Sequence, residues 1–282
     1  MSSDSVAAPA REPRYALDNK GKFAKGHHSG LTQLLDPVSR PRTLGLFGTG
    51  MAGLNCLDVG AGGGAYAIWL TEQVGPTGSV TAVDLNPDQI PEHDGLHVYA
   101  RDLRKFEAIP GAPFDFVHAR LTLGHIPERE QILAWLVSDD VLRPGGVVLI
   151  EDWDASRTDM VLSAPSPEAK ALFEKYQSVQ GDKVFAGSGT DRGWARRTHG
   201  VMVRNGLVDV FTTINAESWR GGTTGALLSV SSINQTRPRL IEYGLTEAEL
   251  AEVVRLLNDP ELVLAGHLLY SHIARKPSRP PA

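Results

Sequence analysis

Leu57-Asp58-Val59-Gly60-Ala61-Gly62-Gly63-Gly64 is the stretch whose reading decides the fold. Leu54 to Val59 is a short, largely apolar run of the length of a buried strand. The glycines break that run, and an apolar helix near Ala65 to Val74 begins directly after them. Strand, glycine turn and helix in that order open a strand–helix–strand unit. In such a unit bare backbone N–H groups collect at a helix N-terminus. Cys56, the one cysteine, sits among apolar residues just ahead of the turn and reads as a small core side chain, with no disulfide available to it.

Downstream, strand and helix signals alternate. Val80–Asp84, Leu96–Ala100, Phe114–Ala119 and Val147–Glu151 read as strands. Glu128 to Val141 has helical spacing, with Ile132, Leu133, Leu136 and Val137 on one side, and it stops at Arg143-Pro144-Gly145-Gly146. Helices over Ser166–Val179 and Trp194–Asn205 lead to a strand at Leu207–Ile214. A long excursion with helices near Gly225–Tyr243 and Thr246–Leu257 follows, and Thr246 and Glu249 form a capping box. His267–Ala274 closes the pattern as a seventh strand. The expected fold is α/β: a doubly wound, Rossmann-like, seven-stranded and mostly parallel sheet with helical lid insertions.

The expected organisation starts with a disordered N-terminus, residues 1–14, then an N-terminal helical lid, 15–53. The lid reads as two short helices, His28–Leu35 and Arg42–Phe47, separated by Asp36-Pro37. The main domain runs from 54 to 274, with substrate-covering insertions near 153–191 and 215–266, and 275–282 is a Pro-rich flexible tail.

The 282 residues are 41% hydrophobic and 22% charged, enough for a globular core. A net charge of -5 and scattered Lys and Arg argue against a nucleic-acid partner. No apolar run reaches the ~18 residues that would span a bilayer, so no membrane partner is expected. Met1 to Pro13 lacks a secretory core, so the expected address is cytoplasmic. No His, Cys and Asp set has metal-ligand spacing. Monomer and homodimer both stay open.

The turn fits the dinucleotide pattern G-x-G-x-x-A, with Asp84 placed where an acid meets ribose hydroxyls. By itself it would suit NAD, FAD or S-adenosylmethionine. Asp58 separates these, because a carboxylate beside the turn repels a pyrophosphate but suits a sulfonium and an ammonium. Arg101-Asp102-Leu103 follows the third strand, where an Asp can accept from an adenine amino group. Leu142-Arg143-Pro144-Gly145-Gly146 breaks the chain before the fifth strand.

In that order and spacing, with Phe114-Asp115-Phe116-Val117 between them, these segments resemble the class I S-adenosylmethionine-dependent methyltransferases over nearly the whole chain. Within that family the closing strand and Asn258-Asp259-Pro260 look like the bacterial subgroup active on secondary metabolites. The resemblance implies S-adenosylmethionine as cofactor and a small-molecule methyl acceptor as partner. It implies that Gly60, Ala61 and Gly62, with Asp58 beside them, approach the methionine part. Asp84 would accept from the ribose hydroxyls, and Leu85 would pack on the adenine, which Asp102 and Leu103 flank. Arg120 and Leu121 would border the methionine.

A general base is needed only if the acceptor is protonated. Candidates are His125 and, in Glu151-Asp152-Trp153-Asp154, Asp152, with Asp154 as a further rim acid. His27-His28 reads as a solvated pair. Trp153, Trp194 and Trp219 lie in or beside the excursions and suit a planar or hydrophobic acceptor. An NAD(P)-dependent oxidoreductase and a non-catalytic methyltransferase-like binding module are the alternatives. Asp58 and the Pro-Gly-Gly break disfavour the first. The intact turn with both acids disfavours the second.

Overall fold

Buried apolar strands need cover on both faces, and the computed structural model supplies it with helices on either side of one sheet. The structure describes residues 16, 17, 24–48 and 50–278. The expected disorder of 1–14 lies outside the described residues, as do positions 279–282 of the expected tail. In chain order the elements are α1 (Ala24–Leu46), β1 (Asn55–Val59), α2 (Ala65–Val74), β2 (Ser79–Asp84), β3 (Leu96–Ala100) and β4 (Phe114–Arg120). Then come α3 (Arg129–Leu136), β5 (Leu142–Asp154), β6 (Val161–Ser163), α4 (Pro167–Ser178) and α5 (Trp194–Arg204). The chain continues through β7 (Val208–Asn215), β8 (Ser218–Arg220), α6 (Thr224–Glu242), α7 (Glu247–Leu257), β9 (Val263–Ala265) and β10 (Leu268–Arg275).

The main sheet has seven strands in the order β3-β2-β1-β4-β5-β10-β7. β10 runs antiparallel to both of its neighbours, and the other pairings are parallel. The order reverses between β1 and β4, so a crevice opens beyond the carboxyl ends of those strands. Side-chain alternation divides the core. Cys56, Val80, Phe116 and Leu149 pack with Tyr66 and Leu70 of α2 on one face. Leu57, Val83, Val117 and Val148 pack with Leu133 of α3 and Trp194 of α5 on the other.

The long excursions form a third core of their own. Phe173 and Tyr176 of α4, Ile233 and Leu240 of α6, and Leu250 and Leu257 of α7 close around Trp219 and Leu264. Both ends of Thr246-x-x-Glu249 are engaged as a capping box that starts α7, a feature worth about 0.5–2 kcal/mol. A three-stranded sheet, β6-β9-β8, ties the excursions together. Its three-residue strands left no periodic signal to read.

Two expectations need correction. The lid segment is not two short helices: α1 runs unbroken through Pro37 and Pro41. An internal proline costs about 3 kcal/mol, and here tertiary anchors outweigh it. Asp36 pairs with Arg120 at 2.8 Å, and Arg42 pairs with Glu151 at 3.0 Å and with Asn215 at 2.7 Å. The second correction concerns the tail, which is held at its start. Arg275 ends β10, Lys276 N–H donates to the Gly146 carbonyl at 2.9 Å, and Gly145 N–H donates back to Lys276 at 3.0 Å. Past the helix expected to end at Val179, a π-helical stretch, Val179–Phe185, continues α4.

Candidate functional site

The glycine turn is shaped by backbone that only glycine adopts freely. Gly60 has φ 69° and Gly62 has φ 56°. A Cβ at Gly60 would stand 2.1 Å from Thr122 Oγ1, so the turn presses its bare backbone against the loop after β4. Gly60 N–H donates to the Val83 carbonyl at 2.7 Å, which fastens the turn to the end of β2. There Asp84 accepts from Gly62 N–H at 2.9 Å and from Asn86 N–H at 2.8 Å. The acid is thus held across the mouth of the turn, and each carboxylate oxygen keeps a lone pair for a ligand.

One cavity of about 880 Å³ lies over this turn. Gly60, Ala61, Gly62, Asp84, Leu85, Asp102, Leu103 and Leu121 line it, and so do Asp58, Arg120, His125 and Asp152. Leu85 is 56% exposed and turns an apolar face to the cavity. Asp102 holds Arg104 with both oxygens, at 3.0 and 2.8 Å, and the arginine's hydrogen bond keeps its carboxyl below the usual range. Arg120 is chiefly an anchor for α1: besides Asp36 it donates to Ser39 at 3.0 Å, and it lies 5.1 Å over the Tyr66 ring.

Beneath the turn is a buried charged network whose other members the sequence reading missed. His118 Nδ1 lies 2.7 Å from Asp58 Oδ1, and its Nε2 lies 3.5 Å from Glu151 Oε2. Glu151 also accepts from Ser271 at 2.6 Å and from Arg42. Tyr66 stacks on the imidazole with ring centroids 4.0 Å apart. Burial pushes His118 toward the neutral form, but hydrogen bonds and charge from Asp58 and Glu151 outweigh it, so its pKa is raised. The opposite holds for Glu151. Burial raises its pKa, His118 and Arg120 lower it, and the net shift is down.

Both candidate bases line the cavity, His125 in the loop after β4 and Asp152 near the end of β5. His125 Nδ1 is 3.2 Å from Thr190 Oγ1, and burial followed by the charge of His27 pushes its pKa down to about 4. Asp152 is buried, and burial pushes its carboxyl up to about 8 despite bonds toward Gly124 and Trp194. At neutral pH the histidine is neutral and the aspartate holds its proton. Asp154 is no cavity residue: it caps the following loop through Ser156 N–H at 3.0 Å and pairs with Arg196 at 2.5 Å.

His27-His28 is not a solvated pair. α1 lies across the crevice, with His27 buried against the cavity and His28 packed on Gly62 and Gly63. No sequence signal separates this from a surface pair, because Lys25 and Gly26 just before them are polar or featureless. At the far end Trp153, Trp219 and His267 form an aromatic wall, with ring centroids 5.9, 5.2 and 5.6 Å apart. Trp194 is fully buried behind Gly124, in the core.

No helix among the described residues is long and apolar enough to cross a membrane. Comparison with known proteins agrees with this fold. The chain is 31% identical over 155 residues to Methyltransferase str3 of Strobilurus tenacellus, an alignment covering 53% of this chain and 52% of that protein. It is 31% identical over 160 residues to the demethylmenaquinone methyltransferase of Listeria welshimeri, covering 52% and 62%. The chain thus spans between about half and three fifths of these curated relatives. A cyclopropane-fatty-acyl-phospholipid synthase-like protein of Lactobacillus casei shares the fold, with a TM-score of 0.52 at 18% identity, over 90% of this chain and 92% of that one. The family model for the methyltransferase domain matches residues 28–213. The chain therefore belongs to the methyltransferase-domain family, and its resemblance to the class I S-adenosylmethionine-dependent enzymes stands.

Proposed function

We propose that this protein binds S-adenosylmethionine over its glycine turn and transfers the methyl group to an O, N or C nucleophile of a small organic molecule. The observation that carries this reading is the single cavity running from Gly60, Gly62 and Asp84 to the aromatic wall of Trp153, Trp219 and His267. Cofactor and acceptor would meet inside one continuous cleft. The residues fit the cofactor: the glycine turn Gly60–Gly62 lines the cavity with backbone where the methionine part would lie, Asp84 offers carboxylate lone pairs to a ribose, and Leu85 offers an apolar face to a purine. Asp58 sets negative charge beneath the turn, which favours an ammonium over a pyrophosphate.

When bound, S-adenosylmethionine supplies a methyl group on an electrophilic sulfonium. This chain's residues then have to hold the nucleophile in line and exclude water, a proximity effect worth up to about 7–11 kcal/mol. α1 covers the glycine turn with His28 and reaches the acceptor side with His27, beside His125, and α6 with Val179–Phe185 covers the acceptor end. His125 is neutral and lines the cavity, so it can accept a proton if the acceptor carries one. Asp152 keeps its proton at pH 7 and acts there as a donor to the acceptor. A small-molecule acceptor agrees with a relative named for demethylmenaquinone. Titration calorimetry with S-adenosylmethionine, S-adenosylhomocysteine and NAD tests the reading: the first two should bind and NAD should not. Binding of NAD without the other two would overturn it.

A further inference from the structure

Three polar side chains at the acceptor end are more than nine-tenths buried, and each has an atom that closes no hydrogen bond among the described residues: His27 Nδ1, Asp152 Oδ2 and Gln180 Nε2. Trp194 beside Asp152 and Tyr176 beside Gln180 come near without completing a bond. His27, Asp152 and Gln180 come from three separate elements, α1, β5 and the π-helical stretch Val179–Phe185, and all three line the same cavity. Buried polar atoms in folded proteins are nearly always paired, so a set that closes no bond along one cavity marks where a ligand's polar groups go. The same cavity has an aromatic wall, a cluster of Trp153, Trp219 and His267 whose rings meet edge-on or tilted. Rings of this kind favour stacked or edge-on planar partners.

The charges near this end are already committed. Arg192 donates to Asp182 and, at 2.6 Å, to the Ala155 carbonyl. Asp191 is held by Arg129 at 3.1 Å and by Arg197. Burial leaves His27, His125 and His267 with pKa values of about 4, and Asp152 with one of about 8, so these groups are neutral at pH 7. An ionic ligand entering here would lose its hydration and find no free counter-charge. Resting on the transferase reading above, we propose that the acceptor is an uncharged planar molecule with hydroxyl or carbonyl groups. His27, Asp152 and Gln180 hold those groups, and Trp153 and Trp219 lie against its ring.

The test uses three ligands that share one ring system and differ in charge at pH 7: naphthol (neutral), naphthoate (anionic) and naphthylmethylamine (cationic). Each is titrated calorimetrically into the full-length protein saturated with S-adenosylhomocysteine. Naphthol should bind at least about tenfold more tightly than either ion. Gln180→Leu and His27→Phe should each weaken naphthol by about five- to tenfold and leave the affinity for S-adenosylhomocysteine unchanged. Equal or tighter binding of either ion overturns the proposal. So does a naphthol that fails to bind or that competes with S-adenosylhomocysteine. If S-adenosylhomocysteine itself does not bind, the transferase reading fails, and the same three titrations on the unsaturated protein still judge the chamber.

Discussion

Replacing Asp84 by alanine removes, in one step, two hydrogen bonds that shape the glycine turn and the carboxylate assigned to the cofactor ribose. Gly62 N–H and Asn86 N–H lose an acceptor at 2.9 and 2.8 Å. A hydrogen bond to a charged group is worth about 1.5–3 kcal/mol when the donor is left dry. Both donors belong to half-buried residues, so water replaces part of that loss. The expected net destabilisation is about 1–3 kcal/mol. At roughly 2–4 °C per kcal/mol for a domain of this size, the Tm should fall by about 2–12 °C. Affinity for S-adenosylhomocysteine should fall by about one to two orders of magnitude, because the ribose loses a charged acceptor.

Asp84→Asn separates the two effects. Its amide oxygen can still accept from one backbone N–H, while its NH2 faces the other donor. Stability should therefore fall less than in the alanine variant, and affinity should still fall about tenfold. Calorimetry gives the affinity and thermal unfolding gives the Tm. A lower Tm with unchanged affinity would reduce Asp84 to a brace for the turn and misplace the ribose. Unchanged values of both would refute the geometry as well.

His118→Phe keeps a ring against Tyr66 but leaves Asp58 without its partner and Glu151 with less positive charge. Breaking a buried pair in this way costs about 3–5 kcal/mol, read by urea unfolding. Glu151→Gln in the same chain should recover part of it, and a loss below about 1 kcal/mol with no coupling would contradict the network. Asp152→Asn tests the raised carboxyl through pH. Between its unfolded value near 4 and its folded value of about 8, the folded chain holds a proton that the unfolded chain has released, so wild-type stability declines as pH rises. The variant lacks that decline. Its stability relative to wild type should grow by about 1 kcal/mol or more from pH 4.5 to 7.5, and parallel curves would show that Asp152 titrates normally.

What the sequence discloses and what it hides follow from how far apart the interacting residues lie. The glycine turn, Asp84 and the strand ends belong to one strand–helix–strand unit, and local backbone requirements make them readable in order. The network below the turn is made by register. β1 against β4 sets Asp58 opposite His118, and β5 against β10 sets Glu151 opposite Ser271, across 60 and 120 positions of chain. Periodicity carries no register, so His118 read as one more residue of a buried strand. The helix α1 is hidden for a related reason, since what overrides its two prolines is the pairing of Asp36 with Arg120 and of Arg42 with Glu151. These two facts meet in one charge balance. Asp58 and Glu151 are two buried carboxylates, and the groups facing them are His118 on β4, whose pKa they raise, and Arg42 on α1. Burying an unmatched carboxylate is costly. The helix over the cofactor end is therefore fixed by electrostatics from beneath as well as by packing, and the floor and the cover of the site form one unit.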